Sequence, residues 1–346
     1  MKITKTITFD DVLLRPKYSS IESRKDIDIS SSMRDLTLRL PVVSSPMDTV
    51  TESEMLIAMD KLGGLGIVHR YNTIAEQSKL VHIAHASGAK NVGAAVGVSG
   101  DYLDRAKALV MAGANVLCVD IAHGHHLLMK NALKCLRSSF DETVYIIAGN
   151  VATLEGFNDL ADWGADAVRV GIGGGSICST RIQTGHGVPT LQSIIDCASS
   201  DRDAALIADG GIRTSGDVCK AIAAGADFVM FGSKLAGTDE SPGEFLHVPE
   251  MLNGRVNYTK QKVYRGMASV EAQVDWRGHT SSVEGVSSTV PYKGSVKDVL
   301  EEIERGLRSG MSYSGSSSIS EFQSKAEFIQ QTQSGQIESS THINRV

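Results

Sequence analysis

The stretch GIGGGSICSTRIQTG, Gly171–Gly185, brings one cysteine, Cys178, out of a run of glycines and follows it at once with Ser179, Thr180 and Arg181. Glycine has no Cβ, so backbone in such a run can approach a ligand closely. A cysteine held there has three roles open to it: nucleophile, metal ligand or small apolar filler. Neighbouring amides and the Arg181 cation would raise its thiolate fraction, which favours the nucleophile. The residue types alone leave nucleophile and filler evenly matched. Cys118, Cys135, Cys197 and Cys219 are scattered and never form C-x-x-C, so they read as small buried residues. Free thiols of this kind fit a reducing cytoplasm.

Two further segments carry chemistry. DGG (209–211) and FGS (231–233) offer glycine amides of the kind that hold phosphate, and Ser176 adds a hydroxyl. The alternative is that these glycines only make tight turns. His123, His125 and His126 in AHGHH lack a matching carboxylate-and-histidine set, so they read as satisfied polar or surface side chains rather than zinc ligands. GIGGGS lies too deep in the chain, without the opening strand–helix context, to serve as a dinucleotide fingerprint.

Eight short apolar runs are available to position these groups: VVSSP (42–46), GLGIVH (64–69), VGAAVG (92–97), VLCVDI (116–121), VYIIAGN (144–150), AVRVGI (167–172), ALIADGG (205–211) and FVMFGS (228–233). Continuous apolar strands alternating with helices indicate a parallel sheet covered on its outside. AGAN (112–115), WGAD (163–166) and AGAD (224–227) form a weak repeat, each placing a glycine where a helix ends and turns back into a strand. The fold class is therefore α/β, a single (β/α)8 barrel over residues 1–346, with a doubly wound open sheet as the alternative. The C-terminal strand ends of such a barrel carry the site. Here they gather Ser45, Met47, Asp48, His69, Arg70, Asp120, His123, Asn150, the cysteine loop, Asp209, Gly210, Gly211, Gly232 and Ser233.

Residues 234–295 interrupt the rhythm with little hydrophobic periodicity, as a flap or lid would. SVKDVLEEIERGLRSGMSY then closes the last unit, and the polar tail 314–346 is expected to order only against a neighbouring subunit. A net charge of −6 argues against nucleic-acid or membrane-surface partners. The N-terminus lacks a signal-peptide core, and no run approaches the roughly 18 apolar residues of a membrane span.

FDDVLLRP, SSPMDTVTE, GGLGIVHR, VDIAHGH, AGNVAT, GIGGGSICSTRIQTG, IADGGIRTSGDV, SPGE, YRGMAS and VPYKGSV occur in that order over nearly the whole chain. In these motifs the sequence resembles the IMP dehydrogenase and GMP reductase family. The resemblance implies a (β/α)8 barrel, usually a homotetramer, acting on a purine mononucleotide with a nicotinamide dinucleotide. It implies Cys178 as the nucleophile at purine C2, with Thr180 and Glu284 handling protons. Ser176, Gly211, Gly232, Ser233 and Tyr264 match the phosphate site, and Asp209 the carboxylate that grips the ribose. Ser45, Met47, Met267 and Ala268 match residues lining the nucleotide and its base. Asp120, Ala122 and Asn150 match the nicotinamide end of the cofactor, and the carbonyls of Gly173, Gly175 and Cys178 a potassium site. Departures are Gly174 where proline is usual, Ser179 where threonine is usual, and His186.

Within the family, SKLVHIAHASGAKN leaves no room for the paired regulatory (CBS-type) module that most dehydrogenases insert. The flap GMASVEAQVDWRGHTSSVEG has Arg277 between Trp276 and Gly278, not the Arg-Tyr pair that activates water in dehydrogenases. Both features resemble reductases and imply NADPH as hydride donor. SSPMDTVTE, TRIQTGHGVP and the tail SGQIESSTHI resemble dehydrogenases, which would use NAD+. In their tail a Glu-Ser-His helps hold potassium, whereas Glu338 and Ser339 are followed here by Ser340, with His342 displaced.

Overall fold

A computed structural model describes residues 3–252, 255–280 and 284–339. Three short strands come first: β1 (Val12–Leu14) and a hairpin of β2 (Ser31–Met33) and β3 (Leu36–Leu38). The eight apolar runs follow as β4 (Val42–Ser44), β5 (Leu65–Val68), β6 (Val92–Val96), β7 (Val116–Asp120), β8 (Tyr145–Val151), β9 (Ala167–Val170), β10 (Ala205–Asp209) and β11 (Phe228–Phe231). Every neighbouring pair is parallel, and β11 pairs with β4, so the sheet closes into a barrel.

Alternation along the strands makes two cores, because successive side chains point to opposite faces. Val43, Ile67, Ala95, Cys118, Ile147, Ile207 and Phe228 fill the barrel interior, joined by Met33, Leu36 and Leu38 of the hairpin. The hairpin sits at the N-terminal mouth, where Arg34 reaches Asp166 just before β9 (3.3 Å). The opposite residues meet the surrounding helices in a larger cluster.

Those helices are α1 (Ser53–Lys61), α2 (Ile74–Ala86), α3 (Tyr102–Met111), α4 (Leu127–Ser139) and α5 (Leu154–Asp162). A single turn in the cysteine loop, α6 (Thr180–Thr184), precedes α7 (Thr190–Cys197) and α8 (Ser215–Ala223). Thr73, Thr153 and Thr214 start their helices by accepting from backbone amides. The repeated glycines have one job: Gly113, Gly164 and Gly225 take φ of 112°, 110° and 112°, which L side chains rarely adopt. Helix α2 ends at Ala86 and β6 begins at Val92, so no module intervenes.

The flap has more regular structure than its composition suggests. Strands β12 (Phe245–Leu252), β13 (Arg255–Arg265) and β14 (Ser287–Pro291) form an antiparallel sheet, with α9 (Val270–Arg277) between the last two. Met251, Val256 and Tyr258 are exposed on this ribbon. A sheet with so little of either face buried leaves no alternating signal to read.

Helix α10 (Val296–Tyr313) closes the last unit, and the tail corrects the expectation made for it. Through residue 339 it folds on its own barrel as α11 (Ile319–Lys325), β15 (Phe328–Gln330) and α12 (Gln333–Glu338). β15 pairs antiparallel with β1, and Ile319 and Phe322 are buried in the outer core. A few apolar anchors in a polar composition suffice to dock it. Ser340 and His342 lie outside the described residues.

Candidate active site

The glycines of the cysteine loop are required by close approach. A Cβ on Gly171 would stand 2.0 Å from the Asp209 carbonyl oxygen, and one on Gly174 would stand 2.3 Å from the Thr190 hydroxyl. A larger residue at Gly174 therefore requires the Thr190 hydroxyl to move. Arg181 donates to the carbonyls of Val188 (2.6 Å) and Ile172 (3.4 Å), so it braces the base of the loop. That differs from the thiol-activating role its position in sequence suggested. His186, on the exposed connection to α7, bonds only its neighbour Thr184 among the described contacts.

The loop brings Cys178 to the flap. Cys178 and Gly285 form an antiparallel bridge; the Ser179 amide donates to the Glu284 carbonyl (3.0 Å) and the Val286 amide to that of Ile177 (3.0 Å). Within this clamp the Cys178 thiol donates to Thr180 Oγ1 (3.2 Å), which donates to Glu284 Oε2 (2.9 Å). Three residues from two segments thus make one proton path ending on a carboxylate.

Below the thiol is a cradle of small and hydroxylic groups. A Cβ on Gly232 would meet the Tyr264 hydroxyl at 2.8 Å, Met47 Sδ at 3.1 Å and Ser45 Oγ at 3.6 Å. Burial pushes the Tyr264 phenol up to about 12, against hydrogen bonds with Ser176 and Ser233, so it stays a neutral donor. Gly210 and Gly211 take positive φ, and Gly210 packs on the backbone of Gly174 and Gly175. Met267 Sδ accepts from the Asp48 amide (3.4 Å), which sets Met267 and Ala268 at the start of the flap against the loop that carries Met47. The Arg265 guanidinium forks onto Asp48 (2.9 and 2.8 Å) and locks that contact.

Asp209 is oriented from beneath. One of its carboxylate oxygens accepts from Asn150 Nδ2 (2.8 Å) and from Arg169 Nη2 (2.9 Å). The same guanidinium binds Asp120 and reaches Cys118 Sγ (3.5 Å). Burial opposes its charge, but Asp120 and Asp209 hold its pKa well above the ordinary value. Arg169 was not singled out in the sequence; its signal is one cation inside the apolar run AVRVGI, facing the barrel interior. Burial pushes the nearby Cys118 thiol up to about 12, which keeps it inert.

Beside this cluster lies a cleft of about 1430 Å³ whose lining includes Glu52, His69, Arg70, Ile121 and Trp276, with Arg70 Nε 4.0 Å from Asp120. Ala122 is exposed on the loop after β7, which is tied to β8 by bonds between Ile121, Gly149 and Asn150. Trp276 of the flap stacks on Tyr71 (4.1 Å, 15°), and Arg70 lies 5.5 Å from each ring. His69 Nδ1, Arg70 Nε and Asn72 Oδ1 are buried behind this wall without hydrogen-bond partners among the described residues. This aromatic lid was not legible in the sequence. Around the histidine-rich motif, His125 pairs with Asp159 and His126 accepts from Leu128 at the start of α4.

Residues 6–342 match the family model described as IMP dehydrogenase / GMP reductase domain. The chain belongs to this family. It is 36% identical over 480 aligned positions to an inosine-5'-monophosphate dehydrogenase of Nitrosopumilus maritimus, covering 99% of each chain. It is 37% identical to an inosine-5'-monophosphate dehydrogenase of Cryptosporidium parvum (98% and 96% covered) and 33% identical to a GMP reductase of Leishmania major (97% and 96%). A crystal structure of GMP reductase from Trypanosoma brucei with guanosine 5'-monophosphate superposes with a TM-score of 0.90 at 32% identity, covering 99% of both chains. An alignment of 480 positions against 346 residues leaves more than a hundred positions of the relative unmatched. Members of the family are oxidoreductases of purine nucleotides, and this chain is one of them. Among the described residues no helix is long and apolar enough to cross a membrane.

Proposed function

We propose that the protein is a GMP reductase, converting GMP to IMP and ammonia with NADPH. The observation that carries this reading is the path from Cys178 through Thr180 to Glu284. The thiol proton passes through the Thr180 hydroxyl to Glu284 as sulfur bonds to purine C2. The same path returns that proton to the departing amine, so the exocyclic C2–N bond breaks with release of ammonia and leaves a thioimidate that joins Cys178 Sγ to C2. Reduced nicotinamide supplies the hydride that replaces sulfur at C2, freeing IMP and the thiolate. Asp209 grips the ribose hydroxyls; Ser176, Gly211, Gly232, Ser233 and Tyr264 hold the phosphate; Ser45, Met47, Met267 and Ala268 frame the base. The cleft lined by Arg70, Ile121 and Trp276 has the room to take the dinucleotide, with Asp120, Ala122 and Asn150 at its nicotinamide end.

The flap supports the reductase branch. Arg277 lies between Trp276 and Gly278, and its guanidinium bonds Gln273 Oε1 (2.5 Å) and the His279 carbonyl (3.3 Å), so it is engaged within the flap. A second reading, a dehydrogenase that oxidises IMP with NAD+ and water, is favoured by the inosine-5'-monophosphate dehydrogenases among the relatives. It would add potassium on the carbonyls of Gly173, Gly175 and Cys178. The Gly175 carbonyl already accepts the Cys178 amide (3.1 Å), with one lone pair left for such an ion.

Both readings require a nucleotide on Cys178. Acid quench during turnover of GMP with NADPH, followed by peptide mass spectrometry, should find the Cys178 peptide heavier by GMP less ammonia, and unmodified in Cys178→Ser. A fully active protein with no adduct on any cysteine would overturn the mechanism.

A further inference from the structure

The groups assigned to the phosphate, Ser176, Gly211, Gly232, Ser233 and Tyr264, are all neutral, yet a nucleotide phosphomonoester brings about −1.5 to −2 charges. An anion taken out of water needs a compensating charge. The cations near the cradle mostly have their own anions: Lys234 pairs with Glu302 (3.2 Å), and Arg213 with Asp10 and Asp217. Arg181 is held on the carbonyls of the loop base.

Lys293 is different. Its ammonium donates to three carbonyls of one turn: Ser233 (2.5 Å), Lys234 (3.1 Å) and Ala236 (2.7 Å). All three donors are used on neutral acceptors, and among the described residues no carboxylate pairs with it. The turn it grips begins at Gly232, whose carbonyl accepts from Leu235 and Ala236 (3.1 and 2.9 Å). In a trans peptide the C=O and N–H bonds point in opposite directions, so their dipoles add. A cation on the Ser233 carbonyl therefore makes the amide at the other end of the same peptide unit, Lys234 N–H, more positive. Burial pushes the ammonium down to about 8, with Lys234 adding repulsion, so it is still largely charged at neutral pH.

We propose that Lys293 is the buried cation of the nucleotide-phosphate site, acting through the peptide groups of the Ser233–Ala236 turn without touching the phosphate. It is a positioning residue, and its role rests on the reading of this cradle as a purine-mononucleotide site. Lys262 gives an internal comparison. It cages the carbonyls of Thr238 (2.8 Å), Asp239 (3.3 Å) and Ser241 (2.6 Å), the same structural job one turn later, without reaching Ser233.

The test is calorimetric binding of IMP and of inosine at pH 7 to the wild type, Lys293→Met, Lys293→Arg and Lys262→Met. Lys293→Met should weaken IMP binding about tenfold or more, with inosine changed less than about twofold. Lys293→Arg should recover part of the loss, and Lys262→Met should leave the ratio of IMP to inosine affinity where it was. Unchanged IMP binding in folded Lys293→Met, or equal losses for IMP and inosine, overturns the inference. Failure of the wild type to bind IMP would instead remove the mononucleotide reading beneath it. If Lys293→Met does not fold, ³¹P titration of IMP bound to the wild type decides. The bound phosphate should stay dianionic well below its solution pKa of about 6; a bound value at or above that one overturns the inference.

Discussion

Thr180 and Glu284 lie 104 residues apart in sequence, and their side chains meet at 2.9 Å. The contact exists because the flap lays Gly285 beside Cys178 as a strand would, so the proton path depends on the flap's position. Thr180→Val and Glu284→Gln should each lower kcat by about 10²–10⁴, the usual range for a lost general acid–base group. Nucleotide affinity should change little. A matching loss in affinity would mean that these residues hold the nucleotide rather than move its protons.

Arg169 holds two carboxylates, Asp120 and Asp209, from inside the barrel. Arg169→Met leaves both half-compensated in a buried place, and breaking such a cluster typically costs about 3–5 kcal/mol. Denaturant unfolding should register that loss, and the surviving folded protein should show a raised KM for the nucleotide. Wild-type stability in the variant would contradict the central position given to this guanidinium.

Gly174 and Thr190 compete for one space, with the Thr190 hydroxyl 2.3 Å from where a Cβ on Gly174 would lie. Gly174→Ala should displace the cysteine loop and cut activity at least tenfold, a shift well within what misplacing a reacting group costs. Adding Thr190→Gly should restore a good part of that activity. Two independent losses that simply add would show that the steric pairing is not what sets this glycine.

Trp276 on the flap stacks against Tyr71 at the wall of the large cleft. Trp276→Ala should raise KM for the dinucleotide several-fold while leaving binding of the mononucleotide near wild type. Steady-state titration of each substrate separates these effects. A selective loss of mononucleotide affinity would move the lid's function to the other half of the site.

Stability carries a pH signature from Asp227. Burial raises its carboxyl to about 6 from an ordinary 3.8, against a hydrogen bond from the Leu206 amide that lowers it. A raised folded-state pKa means that the group's favourable contribution is complete below 3.8 and is lost as pH climbs through about 6. Asp227→Asn should therefore match the wild type near pH 4 and exceed it at pH 8, by on the order of 2 kcal/mol. Thermal melts at the two pH values check the sign. A variant less stable at pH 8 would mean that the carboxylate is better solvated than its burial implies.

Much of this was legible in the residues. Eight apolar runs gave eight barrel strands, because a strand buried on both faces must be apolar throughout. The cysteine, its glycines, DGG and FGS marked the strand ends, since close approach of one loop to another needs small residues at particular places. The flap strands were not legible, because Val256 and Tyr258 face solvent and the ribbon buries too little to impose a pattern. Nor was the tail: Ile319 and Phe322 dock it, but two anchors in a polar stretch look like any surface segment. Arg169 and Lys293 were missed for a related reason. Each works through groups that only the folded chain brings together, two carboxylates in one case and three carbonyls in the other.

The most direct measurement mixes the purified protein with GMP and NADPH and follows the reduced-nicotinamide absorbance together with released ammonia. The same protein is then given IMP and NAD+. A GMP reductase gives loss of NADPH with one ammonia per turnover, and no XMP from IMP. Formation of NADH and XMP, with GMP left untouched, would contradict that reading and show that the flap activates water without an Arg-Tyr pair.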